Sequence, residues 1–422
     1  MCKYCLFLFC ICISVFANAQ PEKNSDKQKD SISKSEFLRQ LGNGYLPTKY
    51  VNIDLRYLIK FNQYEGFRTG LGGVTNSNLS KTIRINGYTV YGFKDDRFKY
   101  SIGGGIRISK QKQSWLNFSY TDDLMETGSS KFLTDKRFFQ FFEPRLLNID
   151  LFHRHITKSV SIEHNLSDKL LSELEFSVSN VNPTYNYTFS VGDKAYDTFH
   201  LSSLKLALDW SPFSTYETIV PNTLEETKIG YPKFSLQYTK SFKDFFKSNL
   251  AFSKIDFRTI YQINHKNNTQ TRITLVGGFS GGKIPLTHLY HAYPNNITKE
   301  TILQRFSVAG NNSFETMYFN EFFSDRFATF QLKHFLSPFN ISERWKPQLV
   351  LIHRFAIGDM SFPERHLGIT FNTLNKGYTE SGFEFNKLIF GFGLSFAYRY
   401  GAYHLPKVQD NIALKFTFNL SF

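Results

Sequence analysis

The last eleven residues constrain the fold more than any other stretch. Ile412, Leu414, Phe416, Phe418, Leu420 and Phe422 alternate with Ala413, Lys415, Thr417, Asn419 and Ser421. Successive side chains of a β-strand face opposite ways, so this strand has one aromatic, apolar face and one polar face. Two folds can use it: the edge of a soluble sandwich, or the wall of a membrane barrel that is apolar outward and polar inward. In the second case the strand closes the wall. Phe416, Phe418 and Phe422 are then the barrel-closing signal read by the assembly machinery.

The rest of the chain favours the barrel. The same alternation recurs in 51–57, 115–121, 201–210, 233–242 and 389–400. No helical-period segment and no run of 18 apolar residues occurs, which excludes an α-helical membrane protein. The chain carries 46 Phe and 23 Tyr in 422 residues, yet its mean hydropathy is negative. A soluble domain would need a very large core for those rings, whereas a barrel gives them to lipid and to the interfacial girdles. The expected fold class is all-β: a transmembrane antiparallel β-barrel of about sixteen strands. They begin near 50, 66, 82, 98, 115, 155, 170, 199, 232, 250, 270, 325, 346, 376, 388 and 410.

Connections test that count, because one end of such a barrel has short turns and the other long loops. The links 76–81, 110–114, 166–169, 265–269 and 386–387 are short and fall on one side. Those near 124–154, 182–198, 280–324 and 358–375 are long and fall on the other. The link 211–231 breaks the rule, being long on the short-turn side. A missed hairpin there would make eighteen strands, and a lost hairpin elsewhere fourteen.

Residues 1–19 read as a secretory signal, with Lys3, the apolar run Leu6 to Phe16 and the small-residue site Ala17-Asn18-Ala19. All four cysteines lie within it, so neither a disulfide nor thiolate chemistry is expected of the mature chain. Residues 20–49 are expected to be a disordered periplasmic lead-in and 50–422 the barrel. This organisation puts the protein in the outer membrane of a Gram-negative bacterium with both termini periplasmic.

Charged residues follow the inward phase, among them Arg84, Glu163, Lys205, Asp256, Arg258, Lys333, Glu380, Glu384 and Arg399. Charges are costly against lipid, so this phase agrees with a polar lumen. Signs are mixed, and lumen ion pairs explain them more simply than a selective pathway. Glu173 and Glu175 are neighbours on one strand face, not an acid–base pair; His153 and His155 lack metal-site spacing. His164 lies on the outer phase where barrel lipases place a histidine, but no Ser-His-Asn/Asp set assembles around it. Gly103-Gly104-Gly105 lies inside a strand and precedes no helix, so it is no phosphate loop. The expectation is no enzyme activity, no cofactor and no metal. The net charge of +14 is dispersed, which argues against nucleic acid and makes lipopolysaccharide phosphates the natural counter-charge.

Tyr64-Glu65-Gly66-Phe67-Arg68, Tyr91-Gly92-Phe93-Lys94-Asp95, Phe314-Glu315-Thr316-Met317, Asn320-Glu321-Phe322 and Ser324-Asp325-Arg326 resemble a Bacteroidota outer-membrane family of unassigned function. Its members often carry an amino-terminal carboxypeptidase-regulatory-like domain, and its barrel is similar to BamA/TamA-like assembly and translocation barrels. That domain has no counterpart in residues 20–49, nor do periplasmic substrate-handling repeats. The resemblance implies a role in outer-membrane biogenesis, export or surface assembly. Its partners would be outer-membrane lipids and lipopolysaccharide, the barrel-assembly machinery, and a periplasmic or surface protein. The alternative is a passive porin or solute channel.

In the similar barrels, the loop between strands 11 and 12 folds into the lumen with an arginine paired to the inner wall. Here that loop is 280–324, and Arg305-Phe306 resembles its tip without the glycine. The resemblance therefore implies a tether from Arg305 to Asp325, Glu380 or Glu384. A surface loop with an incidental arginine is the competing account.

Overall fold

The computed structural model describes residues 44–418, apart from 111–112, 130, 138–143, 221–222, 343–344 and 390, together with Phe37 and Leu41. Sixteen wall strands follow one another through this region, each antiparallel to the next. They are β1 (Val51–Asp54 and Ile59–Asn62), β2 (Gly66–Thr75), β3 (Ile83–Gly92), β4 (Arg97–Ser109), β5 (Ser114–Glu126), β6 (Phe152–Ser167), β7 (Leu170–Pro183) and β8 (Phe199–Trp210). Then come β9 (Lys233–Phe242), β10 (Phe252–Asn264), β11 (Gln270–Gly282), β12 (Arg326–Phe335), β13 (Gln348–Asp359), β14 (Tyr378–Ile389), β15 (Phe392–Tyr400) and β16 (Ile412–Phe418). The same sheet holds nineteen strand segments. The surplus is the split of β1 by a 3-10 turn at Leu55–Tyr57, plus two short edge pieces, Tyr45–Pro47 and Ser307–Val308.

Alternation sorts the side chains of this sheet. Ile102, Phe118, Leu236, Leu351, Phe392 and Leu414 stand exposed on the outer face. Such a continuous apolar surface is unfavourable in water and suits hydrocarbon. Inner-face side chains pair with one another, as in Arg84–Glu163 at 2.8 Å and Lys333–Glu384 at 3.0 Å. Residues of the 283–325 connection bond to β5, β10, β12, β14 and β16. Strands that far apart in order can share one loop only if the sheet curls around it.

Four expectations change in the structure. First, Tyr45–Pro47, placed by sequence in the lead-in, pairs antiparallel with β1, and Arg56 bonds the Tyr45 hydroxyl at 3.0 Å. Second, the 211–231 link forms its own hairpin, Thr215–Val220 with Thr223–Lys228, outside the main sheet, so it adds no wall strand. Third, the last short turn lies at Gly391, whose φ of 81° suits glycine, rather than at Asn386-Lys387; β14 runs on past a register shift to Ile389.

The fourth change concerns closure. Among the described residues no ladder joins β16 to β1. The first half of β1 already has a neighbour on each side, Tyr45–Pro47 and β2. The free edge of β16 pairs instead, in parallel, with Ser307–Val308. Phe416 and Phe418 are outward and partly exposed, as the alternation requires. Phe422 lies outside the described residues.

Candidate functional site

Functional interest centres on the 283–325 connection, which fills the lumen as a plug. Two of its segments, Pro294–Asn296 and Phe314–Tyr318, pair in parallel. Phe314, Met317, Tyr290 and Phe322 pack with Val276, Phe327 and Tyr378 of the wall into one buried cluster. Apolar packing alone would let such a plug slide. Polar anchors fix its register.

The principal anchor is Glu380 on β14. Its carboxylate accepts the backbone N–H groups of Glu315 and Thr316, both at 2.9 Å, and the Thr316 hydroxyl at 2.6 Å. Arg354 of β13 meets it at 2.6 Å, with both side chains essentially free of solvent. A buried carboxylate needs this many donors because its desolvation is otherwise uncompensated. Beside it, Arg399 of β15 holds Glu321 through two nitrogens, at 2.6 and 3.1 Å. Such forked pairing fixes orientation as well as distance.

Lys415 of β16, 1% exposed, donates to the Asn295 carbonyl at 2.6 Å and the Ser307 hydroxyl at 2.7 Å. Asn295 in turn bonds Glu315 at 2.7 Å. Burial pushes the Glu315 carboxyl above the usual carboxylate range, against the pull of Lys415 and Arg354. The connection 127–151 adds anchors from the other side. Arg145 donates to the Pro294 carbonyl at 2.9 Å and pairs with Glu126, which also meets His291 at 2.7 Å. Burial holds the His288 and His291 imidazoles below their ordinary value, His291 despite Glu126.

Arg305 is 2% exposed but meets none of the three carboxylates expected for it. It donates to the carbonyls of Lys299 at 2.7 Å and Gln409 at 2.6 Å, and to the Asp410 carboxylate at 3.2 Å. Asp410 lies on the link from β15 to β16, so Arg305 joins two connections rather than the plug to the inner wall. Its place explains this: Phe306 packs edge-on against Phe416 at 4.3 Å, which holds Arg305 at the seam, away from β12 and β14. Glu384 pairs with Lys333, and Asp325 accepts the Ser361 N–H at 2.7 Å.

The plug reaches the seam itself. Ser307 and Val308 lie opposite Lys415 and Phe416, and the Ala309 N–H donates to the Phe416 carbonyl at 2.7 Å. One loop therefore occupies the lumen and covers the unladdered edge of β16.

Sequence reading missed Glu315, Arg354, Lys415 and Glu126 as anchors. A signal existed for the first: Glu315 sits in the Phe-Glu-Thr-Met stretch noted for resemblance. The other matching stretches supply luminal groups too: Glu65 and Asp95 both meet Lys99 at 2.6 Å, and Arg68 meets Asp123 at 2.7 Å. His164 has a serine after all, Ser114, at 2.7 Å through Nδ1. Among the described residues no carboxylate or amide side chain orients that ring, and a lone Ser–His contact is not an activated nucleophile. Among the described residues no group of three or more His, Cys, Asp or Glu could hold a metal ion.

Residues 43–337 match the C-terminal domain of the family of unknown function DUF5686. The chain belongs to that family. No curated protein matches it in sequence. Among solved structures, BamA from Haemophilus ducreyi lacking POTRA domains 1–3 has a TM-score of 0.52 at 9% identity, covering 94% of this chain and 79% of that one. CdiB from Escherichia coli has a TM-score of 0.47 at 8% identity, covering 88% of this chain and 62% of that one. The DUF5686 domain thus has a fold similar to that of BamA.

Proposed function

We propose that this DUF5686 protein is an outer-membrane barrel of assembly or export, non-enzymatic, in which plug and seam act as one device. The observation that carries the reading is the pairing of Ser307–Val308 with β16, within the loop whose Glu315–Thr316 segment is bound by Glu380. A free strand edge is a template for another strand. Here a short plug segment, Phe306 to Ala309, covers it, so a client strand or lipid could take its place without breaking a wall ladder. Release of the plug from the lumen would expose the edge, and engagement of the edge would loosen the plug. The partners are then outer-membrane lipids or proteins, handled alongside the barrel-assembly machinery and a periplasmic or surface protein.

The test pairs V308C with F416C, which face each other across the edge. A strain lacking the protein is profiled for outer-membrane proteins and lipids, then complemented with the double variant. Restoration under reducing but not oxidising conditions is expected, together with low single-channel conductance from the purified wild type. Full function of the oxidised variant would remove the seam from the mechanism. Large, stable currents from the wild type would turn the reading to a passive porin.

A further inference from the structure

A second feature lies on the outside of the wall, across β4 to β7. Outer-face registers run Gly104–Phe118–Val160–Phe176 and, one step higher, Ile102–Tyr120–Lys158–Val178. These residues line an open groove of about 560 Å3. Its floor is Gly104. Of the three consecutive glycines, Gly103 and Gly105 have backbone or side-chain atoms where a Cβ would stand, the nearest at 3.1 and 2.4 Å. A Cβ on Gly104 would meet nothing nearer than 3.5 Å. Packing therefore permits a side chain there, and its absence leaves a trough of hydrocarbon width among Ile102, Phe118, Val160 and Phe176.

Lys158 stands at the upper edge of the trough on an otherwise apolar row. It is exposed and has no hydrogen-bond or ion-pair partner among the described residues. A lysine on a lipid-facing row is costly unless it reaches a counter-charge at the interface. Two outer-face steps higher is Arg154, in the row Leu124–Arg154–Asn182. Arg154, paired with Asp122 at 2.6 Å, lines a second pocket of about 650 Å3 together with Lys94, Arg97, Asp95 and Asp150. Tyr120, in the row of Lys158, stacks on Tyr100 one step higher, the rings 5.9 Å apart. An apolar trough, a lone ammonium, a pair of rings and a polar pocket in which Arg97 and Lys94 face no carboxylate partner among the described residues thus succeed one another up one strip of wall. The strip rises to the end bearing the long connections, the cell-surface end of an outer-membrane barrel.

We infer that this strip binds a phosphorylated, acylated glycolipid of the lipopolysaccharide type. One acyl chain lies in the trough over Gly104. A phosphate meets Lys158, and the sugar head with its further charge fills the pocket beside Arg97 and Lys94. A glycerophospholipid supplies the chain and the phosphate, but its small head ends at the level of Lys158. Charge complementarity and the size of the upper pocket favour the glycolipid. The inference needs only a membrane-spanning wall and is independent of any role for the plug or seam.

The experiment uses the full-length folded protein in detergent, exposed to purified bisphosphorylated lipid A or to phosphatidylglycerol, with bound lipid counted by native mass spectrometry. Wild type is expected to retain one lipid A and to release phosphatidylglycerol. G104L fills the trough, and K158Q removes the charge. Each should weaken lipid A retention about ten-fold, the scale of one charge-assisted contact, and K158R should restore it. Heat-modifiable migration shows that each variant is folded; if G104L is not, the K158Q and K158R pair decides. Unchanged retention in the variants, or equal retention of both lipids by wild type, overturns the site. Neither position touches the plug, so conductance stays at the wild-type level whichever way the lipid result falls.

Discussion

Two sectors of the lumen hold themselves together differently. Across β5 to β8 the inner face is a ladder of small hydroxyls: Ser119 with Ser159 at 2.8 Å, Thr157 with Ser179 at 2.9 Å, Ser177 with Ser203 at 3.0 Å. Across β12 to β16 it carries Lys333, Arg354, Glu380, Glu384, Arg399 and Lys415, and there the Phe314–Tyr318 segment of the plug is clamped. Each hydroxyl pair joins two neighbouring wall strands and can exchange its partner for water at little cost. Apart from the wall pair Lys333–Glu384, these charged groups meet the plug or the pair that binds it and are sealed by it, so each depends on its partner. The difference separates wall stability from plug position: the hydroxyl ladder stiffens the wall, and the charged groups of β12 to β16, with Glu126 at the end of β5, decide where the plug sits.

Substitution of Glu380 tests this most severely. E380A leaves Arg354 buried without its main counter-charge and frees the N–H groups of Glu315 and Thr316. Removing one partner of a buried pair costs about 3–5 kcal/mol, read as a lower urea midpoint and a protease-sensitive 283–325 segment. R305A should cost less, about 1–3 kcal/mol, because much of what it bonds is backbone carbonyl. Cleavage should then rise near 299–306 while Glu315 stays docked, and R305K should restore part of the protection.

Acidification comes next. The imidazoles of His288 and His291 are held below their ordinary 6.5 by burial, and His366, in a small sheet of Thr188–Val191, Lys194–Tyr196 and His366–Leu367 outside the wall, falls to about 4. The unfolded segments bind these protons more readily. Stability is therefore complete above the ordinary value and is lost as pH falls through the lowered ones, from 6.5 toward about 4 for His366. Hydrogen exchange at about pH 5 should quicken in the plug and in that small sheet and barely change in the Ser119–Ser159 ladder. The smallest effect belongs to S119A, about 1 kcal/mol or less, with plug protection untouched. A plug loosened by S119A as much as by E380A would erase the distinction between the sectors.

Much of the wall was legible in sequence because alternation is a local signal. The sixteen strands and their facing follow from it, and the inward phase of Arg84, Lys205 and Lys333 holds in the structure. The partner of Arg305 was not legible. Asp410, Glu380 and Glu384 are equally plausible acids to an arginine whose loop has no periodicity, and the edge-on packing of Phe306 against Phe416 decides among them. The seam escaped for a similar reason: the aromatic pattern of β16 states which way its side chains face, not what lies against its edge. Tyr45–Pro47 is only three residues long, too short for a period to show.

The anchoring of the plug by β16 also sets an order of events. Lys415 bonds Asn295 across 120 residues and Ser307 across 108, and Arg305 finds Asp410 across 105. Loops this long close slowly, since their entropy is lost before their contacts form. Those contacts need the final strand, so the plug seats after nearly all of the wall has been made. A chain truncated ahead of Lys415 could pair β1 through β15 and still lack the lysine that holds Asn295 and Ser307. Docking of the plug then reports that β16 is in place, and resistance to added protease would distinguish barrels that have it from those that lack it.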